Sequence, residues 1–151
     1  MKILVDADAC PVKDIIIRVA NEFGLRTVMF ANTSHMLDSG LYEVITVDKS
    51  MDSVDLAIIN MTEPGDIVIT QDYGLAALAL GRKAYAINFF GLIFTDKNID
   101  RLLYDRHITK RQLRGGNRVT AVKKRTKEDD RRFEASLRKL IKLAMKNNQS
   151  L

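Results

Sequence analysis

Met1-Lys2-Ile3-Leu4-Val5-Asp6-Ala7-Asp8-Ala9-Cys10-Pro11-Val12 opens the chain and decides its architecture. Ile3, Leu4 and Val5 are apolar in succession, without the alternation of a half-exposed strand. They predict a strand buried on both faces, as in a parallel sheet covered by helices. Pro11 suits a first helical position, because its φ is already helical and its absent N–H would have no partner there. Cys10 then takes the cap position, and Asp6 and Asp8 fall at the carboxyl end of the strand, where open α/β sheets bind ligands. Two carboxylates with one residue between them repel, and each raises the other's pKa unless a cation sits between them. The competing possibility is that both only accept hydrogen bonds from loop and helix-terminus N–H groups.

Working outward, strand and helix patterns alternate. Val12, Ile15, Ile16, Val19 and Phe23 recur at helical spacing and predict a helix over residues 12–23 that Gly24 ends. Residues 26–30 form the next strand, followed by the polar loop Ala31-Asn32-Thr33-Ser34-His35, whose residues are ordinary turn formers. His35 is a lone histidine and is left outside the site. Residues 43–47 make a short strand. Asp52-Ser53-Val54-Asp55 then opens a helix, placing two carboxylates on one helical face, a spacing that also suits a cap and its first turn.

Residues 67–70 read as a buried strand, with Gln71-Asp72-Tyr73-Gly74 and an Ala/Leu-rich helix over residues 75–80 behind it. Asp72 thus repeats the placement of Asp6, with an N-cap as its alternative role. Residues 84–89 and 92–94 give further strands, and Thr95 or Asp96 caps a helix over residues 99–113. The expected fold is α/β, a three-layer sandwich around a mostly parallel sheet of about five strands.

The chain has 151 residues, 46% of them hydrophobic, enough for one well-buried core. No apolar run reaches membrane-spanning length and no signal-peptide pattern stands at the start, so a cytoplasmic location and no membrane partner are expected. A single cysteine and two histidines exclude an internal disulfide, a cysteine-based zinc site and an all-histidine site. Charge is divided: residues 1–100 hold 8 Lys and Arg against 14 Asp and Glu, and residues 101–151 hold 16 against 5. An acidic body with a basic end suits a nucleic-acid partner; a solvated tail is the plainer alternative. Residues 114–151 read as a basic loop plus a C-terminal helix that docks through Phe133, Leu137, Leu140, Ile141 and Ala144.

Val5-Asp6-Ala7-Asp8-Ala9-Cys10-Pro11, Asp52-x-x-Asp55, Thr70-Gln71-Asp72-Tyr73-Gly74-Leu75-Ala76, Phe94-Thr95-x-x-Asn98-Ile99, and Asp129 followed by Phe133 and Leu137 together resemble the bacterial YaiI/YqxD family, which is grouped with PIN-like domains. The resemblance covers nearly the whole chain. It implies one PIN-like domain over residues 1–151, an acidic cluster at the strand ends, and the Mg²⁺- or Mn²⁺-dependent cleavage of RNA, sometimes DNA, that is usual for PIN-like nucleases.

Residues and resemblance meet at Asp6, Asp8 and Asp72, with Asp55 and Asp52 beside them. Hard oxygen ligands without cysteine or clustered histidine select Mg²⁺ or Mn²⁺. Asp6 and Asp72 are expected as principal ligands, Asp8 and Asp55 as direct or water-mediated ones, and Asp52 as an orienting group. Such sites often hold two ions about 4 Å apart. Arg106, Arg114, Arg118, Lys123, Lys124 and Arg125 are the expected holders of the nucleic-acid backbone, RNA favoured. Two other classes compete. One is a haloacid-dehalogenase-type phosphatase with Asp6 as nucleophile and Asp8 as general acid, which leaves the basic end unexplained. The other is a non-catalytic RNA-binding module. Cys10 as a nucleophile has no histidine partner, so a small buried cysteine is the expectation.

Overall fold

The structure, a computed structural model, describes residues 1–32, 40–48, 53–114 and 123–149. Six strands form one sheet: β1 (Lys2–Asp6), β2 (Arg26–Ala31), β3 (Glu43–Thr46), β4 (Ile67–Ile69), β5 (Tyr85–Ile87) and β6 (Ile93–Phe94). Their order is β3-β2-β1-β4-β5-β6. All neighbours are parallel except β5 and β6, which pair antiparallel across a short turn. β6 is the short strand read at residues 92–94, and it brings the sheet to six.

The chain steps outward from β1 to β3, then returns to the other side of β1 to place β4. Neighbouring connections therefore leave in opposite directions between β1 and β4, which opens a crevice at the carboxyl ends of those two strands. Asp6 ends β1, and Thr70, Gln71 and Asp72 follow β4.

Ile3, Leu4 and Val5 are fully buried, as an uninterrupted apolar run requires. Ile3 and Val5 face a cluster with Val12, Ile16 and Val19 of the first helical segment and Phe133, Leu137 and Ile141 of the last; Leu4 faces Ile58, Leu75 and Ala79. Strand alternation thus divides the core into two halves, one on each face of the sheet. α1 (Lys13–Glu22) and α5 (Lys127–Gln149) cover one face; α2 (Ser53–Met61), α3 (Tyr73–Gly81) and α4 (Ile99–Arg114) cover the other. The expected three layers and the docked C-terminal helix are observed, and all five apolar residues named for that helix are buried.

One helix start differs from expectation. α1 begins at Lys13, two residues after Pro11, with Val12 at the cap position. Cys10 N–H donates to Ala7 O at 3.2 Å, closing a turn with Ala9 at φ 56°, and this turn uses the residues a longer helix would need. Thr95 caps α4 as expected: it exchanges hydrogen bonds with Asn98, Thr95 N–H to Oδ1 at 2.9 Å and Asn98 N–H to Oγ1 at 3.2 Å.

Charged pairs lock α5 onto α1. Arg18 Nη2 lies 2.6 Å from Glu134 Oε1, and Arg138 Nη1 lies 2.7 Å from Glu22 Oε2. Arg138 is therefore tied within the fold rather than presented to a partner. Hydrogen bonds from Arg18, joined by those from Arg138, hold the Glu134 carboxyl down at about 2. Because the folded-state value is depressed, this clamp adds stability above the ordinary carboxyl range and loses it as pH falls toward 2. The melting temperature of wild type should exceed that of Glu134→Gln at pH 6, with the gap closing by pH 2 and narrowing in high salt. A pH-independent gap would mean that packing, not charge, carries the effect.

At the opposite end of the sheet, Asp66 is 1% exposed and accepts from Lys2 Nζ at 2.6 Å, Lys2 N–H at 3.0 Å and Glu63 N–H at 2.8 Å. The only carboxylate buried so deeply among the described residues is therefore a structural one, far along the strands from the crevice. No helix among the described residues is long and apolar enough to cross a membrane.

Candidate active site

The crevice holds a cleft of about 410 Å³ lined by Asp6, Asp8, Gln71, Phe90, Lys123 and Arg125, with Ala9, Pro11 and Phe89 completing its wall. Three strand ends and the approach to α5 meet there. Asp6 is fixed because β1 is hydrogen-bonded on both sides, to β2 and β4. Its Oδ2 accepts from Thr70 Oγ1 at 3.1 Å, and the same hydroxyl oxygen accepts from Asp72 N–H at 3.0 Å. Burial, and then the charges of Asp72 and Asp8, push the Asp6 carboxyl up, although the Thr70 hydrogen bond opposes them. Such a site disfavours its own negative charge and favours a cation.

Asp8 is held from the other side. Its Oδ2 accepts from Asn32 N–H at 2.7 Å, just beyond the end of β2. Ala9, in a left-handed conformation that costs an L-residue about 1 kcal/mol, turns the chain back between Asp8 and Cys10. Asn32 Oδ1 is buried and finds no hydrogen-bond donor among the described residues. Buried orphan acceptors are uncommon and ask for a partner from outside the protein.

Asp72 has a different duty from Asp6. It caps α3, its Oδ1 accepting from Gly74 N–H at 2.8 Å and Leu75 N–H at 3.2 Å. The alternative role of Asp72 as an N-cap is thus filled, while its charge still acts on Asp6. Its side chain opens to a neighbouring cleft with Arg106 and His107. Another cleft on that flank, about 470 Å³, is lined by Gln71, Tyr73, Leu102, Asp105, Arg106 and Thr109. Arg106 Nη1 lies 4.0 Å from Asp72 Oδ1, and its guanidinium sits 5.6 Å from the Tyr73 ring centre. Asp55 is in the first turn of α2, which packs on β1 and β2 and starts at the carboxyl end of the sheet, but Asp55 does not line these clefts.

Lys123 and Lys124 are exposed, and Lys123 lines the first cleft. Arg125 is half-buried: Nε donates to Asp130 Oδ1 at 2.7 Å, Nη2 donates to Phe89 O at 2.6 Å, and Nη1 is buried without an acceptor among the described residues. Arg114 ends α4, and its side chain lies outside the described residues, as do Asp52, His35 and Arg118.

Gln71 and Phe90 are cleft residues that pattern reading passed over. Gln71 Oε1 accepts from Phe89 N–H at 2.7 Å, tying the end of β4 to the turn after β5. Asn88 Oδ1 accepts from Phe90 and Leu92 N–H groups, both at 2.9 Å, and Gly91 O accepts from Ser136 Oγ of α5 at 2.6 Å. Gly91 has φ 89°, and a Cβ there would stand 2.9 Å from Arg132 O, so the turn presses directly on α5. Phe89-Phe90-Gly91 at a strand end was the available signal: two aromatics in succession before a turn glycine cannot both face the core, and Phe89 is buried while Phe90 is exposed.

Among the described residues no three Asp, Glu, His or Cys side chains form a group that encloses an ion. The donors that line the cleft are nevertheless hard oxygens, the Asp6 and Asp8 carboxylates. They fit Mg²⁺ or Mn²⁺, because Mg²⁺ characteristically takes one or two carboxylates, keeps several waters, and binds substrate phosphates rather than sitting in an all-protein cage.

Cys10 shares the same turn but not the chemistry. It is 7% exposed, and burial pushes its thiol up to about 11. A thiol so rarely ionised at pH 8 resists alkylation. Iodoacetamide should leave Cys10 unmodified by mass spectrometry in the native protein and label it fully in urea; rapid native labelling would show an activated thiol instead.

The sequence profile described as "Uncharacterized BCR, YaiI/YqxD family" matches residues 4–143. A UPF0178 protein of Ruminiclostridium cellulolyticum is 54% identical over 142 residues, covering 94% of this chain and 93% of that protein. A UPF0178 protein of Lachnoclostridium phytofermentans is 53% identical over 145 residues, covering 94% and 97%. One from Alkaliphilus oremlandii is 52% identical over 137 residues, covering 91% and 88%. No solved structure matches the chain. With nearly its full length aligned to the profile and to these relatives at about half identity, the chain belongs to the YaiI/YqxD family.

Proposed function

We propose that this protein is a Mg²⁺- or Mn²⁺-dependent phosphodiesterase acting on RNA. The observation that carries this reading is the meeting of opposite charges in one cleft. Asp6 and Asp8 stand at the switch point of the sheet, and Lys123 and Arg125 stand across from them. A phosphodiester needs this pairing, since carboxylates hold a cation while arginine and lysine hold phosphate oxygens.

Asp6 and Asp8 would hold the metal, with Asn32 N–H fixing the Asp8 carboxylate. Asp72 acts on Asp6 by its charge and through the shared Thr70 hydroxyl. When bound, Mg²⁺ or Mn²⁺ supplies Lewis-acid stabilisation of phosphoryl charge and an acidified water. Lys123 offers an exposed ammonium to a backbone phosphate, and Arg106 offers a guanidinium on the far side of Gln71. These contacts position a chain without reading its sequence. Gln71 lines two adjoining clefts, and a row of clefts with basic side chains suits a polymer better than a small phosphate ester. That weighs against a phosphatase of the haloacid-dehalogenase type.

The test is cleavage of mixed-sequence single-stranded and structured RNA by purified protein with Mn²⁺, Mg²⁺ or EDTA. Cleavage that requires metal and disappears in EDTA is the expected result. A protein that is inert with every metal but binds RNA equally with and without EDTA is a binding module, and the nuclease reading then fails.

A further inference from the structure

Two arginine–aromatic pairs flank the acidic cleft. On one side Arg125 is held over the Phe90 ring, 4.8 Å from its centre; on the other Arg106 is held over the Tyr73 ring at 5.6 Å. Both aromatics are fixed by the fold. Tyr73 packs edge-on against Phe94 with ring centres 5.5 Å apart, and Phe90 sits in the turn clamped by Asn88, Gln71 and α5. Phe90 is nonetheless 48% exposed. Arg125 takes part of this ring, and the rest of its surface lines the charged cleft, where a ligand can reach it. Gln71 lines the cleft of each pair, so the two clefts adjoin at that residue.

We infer that the site takes a single-stranded polynucleotide, with one base stacked at Phe90, another at Tyr73, and the backbone passing Gln71 between them. This rests on the nucleic-acid reading above and adds the strandedness of the substrate. Aromatic rings stack only on bases that are unpaired and splayed out, and every base offers a π-face, so this recognition is tolerant of sequence and rejects a duplex. Arginine beside each ring adds cation–π attraction and a donor for the adjoining phosphate. The buried Nη1 of Arg125, without an acceptor among the described residues, is a donor that such a phosphate would satisfy.

The experiment is fluorescence anisotropy in EDTA, which separates binding from cleavage. It uses full-length protein, a short mixed-sequence RNA labelled at one end, and the same RNA annealed to its complement. Single-stranded RNA should bind at least about 10-fold tighter than the duplex. Phe90→Leu and Tyr73→Leu keep apolar bulk and should each weaken single-strand binding about 5-fold or more without changing the slope of log affinity against log salt. Phe90→Tyr should restore binding, and Arg106→Gln should instead lower the salt slope by about one. Duplex binding as tight as single-strand binding, or leucine variants that bind as wild type, overturns the inference. If metal-dependent cleavage persists in those leucine variants, the nuclease reading survives that failure. If stacking is confirmed but no metal supports cleavage, the nuclease reading fails and the single-strand site stands.

Discussion

Asp6→Asn protein should melt at a higher temperature than wild type and cut RNA at least about 100-fold more slowly. Both effects have one cause. Burial and the neighbouring charges of Asp72 and Asp8 disfavour the ionised Asp6 carboxyl in the fold. Asparagine removes the charge yet keeps an oxygen to accept from Thr70 Oγ1, now 3.1 Å from Asp6 Oδ2. The relief should raise the melting temperature at neutral pH, where Asp6 would otherwise have to carry its charge. Catalysis moves the other way, because the carboxylate would hold a metal that contributes several kcal/mol of transition-state stabilisation, and each 1.36 kcal/mol is tenfold in rate. Sites tuned for chemistry are commonly less stable than they could be. Calorimetry and cleavage on the same preparations test the pairing. A lower melting temperature would remove the electrostatic account of Asp6, and undiminished cleavage would remove Asp6 from the reaction. Asp72→Ala is the contrast: it deletes the α3 cap and should lose about 1 kcal/mol of stability.

Phe133→Ala should lose about 3–5 kcal/mol, the largest stability change expected of a single substitution here. Phe133 is fully buried against the α1 side of the sheet, one turn and a half into α5. The residual cavity cannot close easily, because the start of α5 is pinned: Thr126 and Asp129 cap it reciprocally, at 2.9 and 3.1 Å, and Arg125 is bonded to Phe89 O. The same pinning ties the loss to function. Lys123 and Arg125 reach the cleft only while α5 is docked, so weakened docking should lower RNA affinity and its salt dependence together. Urea denaturation and anisotropy would show both changes. A stability loss below about 1 kcal/mol would mean that α5 is an accessory to the core rather than part of it.

The elements were legible in the sequence wherever a period or a cap governs a segment by itself. The apolar run Ile3-Leu4-Val5 dictates burial on both faces. The Phe133, Leu137, Leu140, Ile141 and Ala144 spacing dictates which face of α5 docks. Thr95 and Asp96 mark where α4 begins, and Thr95 is the one that caps it. Local chemistry also suggested that Asp6 and Asp8 end the central strand, and they share one cleft. It misplaced the start of α1, because the turn closed by Cys10 and Ala7 competes with the helix for the same residues. What only the tertiary structure decided is which strand ends meet. The reversal of strand order beside β1 brings Gln71, Phe90 and Arg125 to Asp6 from segments far apart in the chain, and divides Asp72 and Arg106 onto the neighbouring flank. Periodicity reports how a segment packs; it carries no information about which distant segment lies alongside, because that follows from burying both faces of the sheet at once.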